Sequence, residues 1–273
     1  MRYRLNQTTS WVAAFAVSVA VAVTARAAET VVDIPSRPGL AIHTLIIEPT
    51  SAPKAAVILV AGGSGRLDIA ADGRIGSNGG NQVIRTRSDY ARAGFLVAVP
   101  DIADDFKADG KSVTNGYRWS PEHARDIGAV VAWLRAKSPV VHLVGTSRGA
   151  LTVGNAAARL DGTQRPDTIV ITSGMLMNIN GKQPSVERSV GHLERITMPV
   201  LLVYHERDQC FVSPPDKVMP FKALLAKAAS VDVVAMSGGS TKGDPCEAQS
   251  YHGYLGIDDE VVRSVTAWLV KHQ

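Results

Sequence analysis

The chain has 273 residues, 45% of them hydrophobic and 20% charged, with a formal net charge of +4. That length and apolar content suffice for one large buried core and exclude a disordered or fibrous chain. Without Arg2, Arg4 and Arg26 the balance is 26 basic against 25 acidic residues, so the basic character belongs to the first residues and no nucleic-acid partner is expected.

Residues 1–27 read as a secretory signal peptide. Arg2 and Arg4 give a positive start, an apolar run from Trp11 to Val23 is broken only by Ser18, and Ala25-Arg26-Ala27 has the small-x-small pattern of a cleavage site. The run falls short of the about 20 apolar residues of a membrane span. No stable span is therefore expected after cleavage; the alternative is an uncleaved N-terminal anchor. The mature chain, 28–273, is expected as a single domain in the periplasm or outside the cell. Its two cysteines, Cys210 and Cys246, form one candidate disulfide in such an oxidising compartment.

From residue 30 onward short apolar runs alternate with longer amphipathic stretches. Strands are expected at 31–34, 40–47, 56–60, 95–99, 140–144, 168–171, 200–204 and 231–235. Several of these runs are apolar at every position, as strands buried on both faces of a parallel sheet are. Helices are expected at 81–92, 120–137, 149–160, 217–229 and 258–271. The second has the clearest start signals: Ser120 can cap it, Pro121 sits at its first position, and Glu122 complements the positive helix end. This alternation predicts an α/β fold with a doubly wound, mostly parallel sheet. Two long connections remain, 61–80, which is rich in glycine, and 173–198, where a lid could sit. The second is too short for a helical cap domain, so only a minimal lid is expected.

The strongest chemical signal lies between the expected fifth strand and the third helix, at Gly145-Thr146-Ser147-Arg148-Gly149. A serine hydroxyl is a poor nucleophile unless it is held rigidly beside a base. A sharp strand-to-helix turn lifts it clear of the sheet, and glycines on either side let neighbouring backbone pass close. The helix N-terminus behind it favours developing negative charge.

With this Gly-x-Ser-x-Gly turn in its strand–helix context, the sequence resembles the α/β-hydrolase family over most of the mature chain. It is similar to bacterial serine esterases and dienelactone-hydrolase-like proteins. It departs from true dienelactone hydrolases, which use Cys where this chain has Ser147. The resemblance implies an α/β-hydrolase fold and the order Ser, acid, His along the chain. His252, between the last strand and the last helix, then stands where the family has its general base. Asp208, just after the strand at 200–204, best matches the acid, with Glu206 the alternative. The oxyanion hole would be formed by backbone N–H groups of Arg148 and of Gly63 and Ser64, in Ala61-Gly62-Gly63-Ser64-Gly65; the family often has His-Gly where this chain has Ala61-Gly62. A Cys210–Cys246 bond would tie the acid loop to the histidine loop. Arg66, Arg74, Arg85 and Arg87 are candidates for an acidic substrate group, although surface arginines are usually solvated. Tyr117 and Trp119 are candidates for the site entrance.

No cluster of metal-binding residues has the right spacing, so neither metal nor cofactor is expected. The expected activity is cleavage of a small-molecule carboxylic ester through an acyl-enzyme. An amidase or peptidase would use the same residues, and a non-catalytic binding protein could use the same fold.

Overall fold

A computed structural model of the chain describes residues 28–108, 116–177, 181 and 183–273. The expected signal peptide, 1–27, lies outside the described residues. Eight strands form one sheet: β1 (Glu29–Pro35), β2 (Ala41–Ile47), β3 (Ala55–Val60), β4 (Phe95–Pro100), β5 (Val141–Thr146), β6 (Thr168–Thr172), β7 (Val200–His205) and β8 (Val231–Met236). Their order is β1-β2-β4-β3-β5-β6-β7-β8. The pairs from β4 through β3 to β8 are parallel. The β1–β2 and β2–β4 pairs are antiparallel and form one edge of the sheet.

The helices are α1 (Gln82–Arg85), α2 (Arg87–Arg92), α3 (Asp104–Ala108), α4 (Pro121–Arg135), α5 (Gly149–Arg159), α6 (Val218–Leu224) and α7 (Asp258–Val270). Each central strand feeds two cores. In β3, Ala56 and Ile58 join the cluster that contains Leu134 of α4 and Val153 of α5, while Val57 and Leu59 join the one that contains Val83 of α1 and Leu269 of α7. All six residues of β3 are buried, and full burial of each large aliphatic side chain contributes about 1.5–3 kcal/mol. This two-sided burial is why the strands are apolar throughout rather than alternating.

Two expected helices are interrupted. The stretch expected as one helix at 81–92 is α1 and α2, separated at Thr86, whose hydroxyl donates to the Gln82 carbonyl. The stretch expected at 217–229 yields only α6, preceded by a 3-10 turn at Pro215–Lys217. By contrast, α4 starts as its signals require, with the Ser120 hydroxyl accepting from the His123 N–H. Among the described residues no helix is long and apolar enough to cross a membrane.

Candidate active site

The site is built where the parallel strands end. Ser147 occupies the turn between β5 and α5 with φ +54°, a left-handed conformation that costs a non-glycine residue roughly 1–3 kcal/mol. Its backbone is locked from both sides: its N–H donates to the Thr172 carbonyl at 2.9 Å, and its carbonyl accepts from Ala150 and Met175. The flanking glycines are sterically required. A Cβ on Gly145 would lie 2.6 Å from Val153 Cγ2, and one on Gly149 would lie 2.8 Å from the Val60 carbonyl. A Cβ on Gly62, across the turn, would lie 2.9 Å from Ser147 Cβ. The serine turn and the glycine loop after β3 are therefore in direct backbone contact.

Asp208 and His252 arrive from the loops after β7 and β8. Asp208 Oδ1 accepts from the Cys210 N–H at 2.8 Å, and Oδ2 lies 2.9 Å from His252 Nδ1. The Ser213 hydroxyl donates to the same Oδ2 at 2.9 Å and stands 2.9 Å from His252 Nδ1. Both side chains are almost fully buried. The other ring nitrogen, His252 Nε2, is buried with no hydrogen-bond partner. Glu206, the alternative acid, is exposed.

The histidine loop is held by several independent contacts. Cys210 and Cys246 are bonded. A Cβ on Gly253 would fall 2.1 Å from the Ala248 carbonyl, so the chain crosses itself there only because residue 253 is glycine. Arg85 donates to the carbonyls of Gly80 and Ala248 and to Asp258. Its remaining contact, with the Gly253 carbonyl at 2.5 Å, closes the same loop. The Tyr254 hydroxyl donates to the Val203 carbonyl of β7, and His205 stacks on Tyr251.

Ser147, Arg148, Gly63, Ser64 and His252 line one cleft of about 480 Å³. Among the described residues, the N–H groups of Gly63, Ser64 and Arg148 have no hydrogen-bond acceptor. Met175, Phe211 and Val212 supply apolar patches, but much of the remaining wall is polar, with Asn78, Asn81 and Gln82 on one side. From the long connection at 173–198, Met175 and Gln183 reach the cleft.

Several expected neighbours stand elsewhere. Tyr117 is buried rather than at the entrance: its hydroxyl donates to Asp126 and its ring stacks on Phe106. Trp119 packs partly buried against the core and does not line the cleft. Arg66, Arg74, Arg85 and Arg87 pair with Asp68, Asp72, Asp258 and Glu29, and none lines the cleft. Among the described residues, Arg148 is the arginine that lines the cleft. Burial lowers its pKa, and among the described residues its Nε has no acceptor and it makes no ion pair. Among the described residues no group of three or more His, Cys, Asp or Glu could hold a metal ion.

No protein-family model and no curated protein sequence matches the chain. Solved structures do. An esterase of Pyrococcus furiosus superposes with a TM-score of 0.61 at 16% identity, over 90% of this chain and 92% of that one. An α/β serine hydrolase homologue from Coxiella burnetii gives 0.56 at 17% identity, over 89% and 96%. An acylaminoacyl peptidase of Pyrococcus horikoshii gives 0.60 at 12% identity, over 91% of this chain but 42% of that one. This is the α/β-hydrolase fold.

Within the α/β-hydrolase fold, the ends of β5, β7 and β8 are where Ser147, Asp208 and His252 stand. Sequence reasoning named these residues from their chain order and flanking elements, and the structure brings Asp208 into contact with His252 beside the cleft that Ser147 lines. That reasoning missed Ser213, five residues beyond Asp208 in a turn with no motif of its own. Nor did it single out Arg118, which contacts a loop some 55 residues away in sequence.

Proposed function

We propose that the chain is a serine hydrolase that cleaves carboxylic esters with small or medium acyl groups through an acyl-enzyme. The observation that carries this reading is the Asp208–His252 contact at 2.9 Å combined with an unpartnered His252 Nε2 in the cleft that Ser147 lines. Asp208 holds the imidazole with its Nδ1 proton inward and stabilises its charged form, which leaves Nε2 as the base. His252 takes the Ser147 proton as the hydroxyl oxygen attacks the ester carbonyl. The carbonyl oxygen becomes an oxyanion, which the N–H groups of Gly63 or Ser64 and of Arg148 are free to receive. The protonated His252 gives its proton to the departing alcohol. Water, activated by the same His252, then attacks the acyl-enzyme and releases the acid.

The few apolar side chains along the cleft offer little surface to a long alkyl chain, which supports short acyl groups. The Cys210–Cys246 bond supports the exported, oxidising location expected from the N-terminal segment.

The test is hydrolysis of p-nitrophenyl acetate, butyrate and palmitate by the purified chain beside Ser147→Ala, with fluorophosphonate labelling of both. The reading expects label on Ser147, turnover of the two short esters, and a loss of roughly 10⁶-fold in kcat in the variant. A folded protein that takes no label and hydrolyses no ester would return the fold to a binding role. The peptidase among the structural neighbours supports a second reading, amide cleavage with the same residues. Matched ester and anilide substrates with one acyl group separate the two.

A further inference from the structure

Arg118 is only 2% exposed and is the largest fully buried side chain among the described residues. A buried guanidinium ordinarily faces a carboxylate. Arg118 faces none. Its Nη2 donates to three successive carbonyls of the loop after β3, those of Ala61 at 2.9 Å, Gly62 at 3.1 Å and Gly63 at 3.2 Å. Its Nη1 donates to Thr152 Oγ1 of α5 at 3.1 Å, and that hydroxyl is 2.9 Å from His123 Nε2. Burial and the nearby Arg148 push the Arg118 pKa down to about 9, so the group is still a cation at neutral pH.

The consequence for the loop follows from peptide geometry. In a trans peptide the C=O of one residue and the N–H of the next point in opposite directions, and the described chain has no cis peptide. A guanidinium that gathers the Gly62 and Gly63 carbonyls on one side therefore turns the N–H groups of Gly63 and Ser64 to the other. Both residues line the cleft with Ser147, and neither N–H has an acceptor among the described residues. The glycine loop is also shaped to admit this one side chain: a Cβ on Gly65, at φ +78°, would lie 2.4 Å from Arg118 Nη2.

We infer that Arg118 is a positioning residue that aims the Gly63 and Ser64 N–H groups at the oxyanion of the acyl-transfer transition state. The inference rests on the serine-hydrolase reading above. It also accounts for Gly65, which no step of the reaction uses. Arg118 reaches no reacting atom in this scheme; it acts through the backbone of residues 61–64.

The test compares Arg118→Met, Arg118→Lys and Gly65→Ala with the parent enzyme, each normalised to sites titrated by fluorophosphonate. Two quantities are read on p-nitrophenyl butyrate, kcat and KM. A third is the inhibition constant of a trifluoromethyl ketone, whose adduct with the serine carries an oxyanion, beside that of the product acid, butyrate. Arg118→Met is expected to lose about 10²–10³-fold in kcat per titrated site with little change in KM, the size of one lost oxyanion donor. Ketone inhibition should weaken in step while butyrate inhibition holds. Arg118→Lys should fall between Met and Arg, and Gly65→Ala should resemble Arg118→Met because its methyl displaces the guanidinium.

Should Arg118→Met fail to fold, Arg118→Lys, which keeps a long stem and a charge, decides alone. A folded variant whose kcat and ketone inhibition stay within about threefold of the parent overturns the inference. So does a fall confined to the titratable fraction, which marks a merely structural role. A parent enzyme that neither labels at Ser147 nor turns over esters brings down the hydrolase reading and this inference together, an outcome distinct from a parent that works while the Arg118 variants match it.

Discussion

At the scale of single residues, the two carboxylates after β7 make opposite demands on solvent. Asp208 is buried, accepts from the Cys210 N–H and the Ser213 hydroxyl, and contacts His252. Glu206 is exposed two positions earlier, its backbone N–H bonded to the Met236 carbonyl. A carboxylate that is to orient an imidazole must be desolvated and fixed, and only Asp208 is. Asp208→Asn is expected to lower kcat about 10⁴-fold, because an amide in that place favours the wrong histidine tautomer. Glu206→Gln should stay within about twofold, as surface substitutions do. Steady-state kinetics on p-nitrophenyl butyrate check both, and a larger loss from Glu206→Gln would reverse the assignment. In the sequence Asp208 stands out from Glu206 only because its offset from the strand matches the acid of the family that the chain resembles. Ser213 carries no such signal: a serine among turn residues has many uses, and its contact with the Asp208–His252 pair becomes visible only once β7 and β8 lie side by side.

At the scale of elements, the strands were legible because burial on both faces writes long apolar runs. The helices were legible where capping residues bound them, as at Ser120. The breaks were not. α6 stops at Leu224, short of the expected end at 229, and Thr86 divides α1 from α2 by returning its hydroxyl to the Gln82 carbonyl; apolar periodicity runs through both places without a mark. The loops after β7 and β8 have little regular structure to hold them, and there the Cys210–Cys246 bond takes over the task. It joins residues 36 apart in sequence and lies beside both Asp208 and the His252 turn. Closing a loop of that length in the unfolded chain is worth roughly 4 kcal/mol in the loop-entropy account. The double variant Cys210→Ser, Cys246→Ser is therefore expected to lose about that much unfolding free energy. It should also lose kcat more than KM, as the His252 loop loosens from the acid loop. Urea denaturation and steady-state kinetics of the two proteins supply the numbers. A loss below about 1 kcal/mol with unchanged kcat would mean that Arg85, Gly253 and Tyr254 hold the loop without the bond.

At the scale of the whole molecule, the sheet divides two cores, and each encloses or borders a histidine kept neutral by burial. His142, the second residue of β5, bonds Thr168 Oγ1 at 2.7 Å, and burial lowers its pKa to about 4. His123, in α4, is lowered to about 3, first by burial and then by the charges of Arg118 and Arg37. Arg37 belongs to the turn between β1 and β2 and reaches across to Asp126 of α4 and Asp105 of α3. His123 thus lies between the cation under the glycine loop and the cation that ties the sheet edge to the helices. Depressed folded-state values mean that the unfolded chain takes up protons first as pH falls. The contribution of each histidine is fully present above its unfolded value of about 6.5. It drains away between there and about 4 for His142, and about 3 for His123, at up to about 1.4 kcal/mol per pH unit for each. Unfolding free energies by urea at pH 7.0 and pH 4.5 are expected to show this steep acid loss in the parent. The double variant His123→Gln, His142→Asn keeps a polar nitrogen near each bonded position and removes both titrations. It should be less stable at pH 7.0 yet fall by several kcal/mol less between the two pH values. Equal acid losses in parent and variant would assign the pH dependence to the carboxylates and leave the histidines as neutral packing groups.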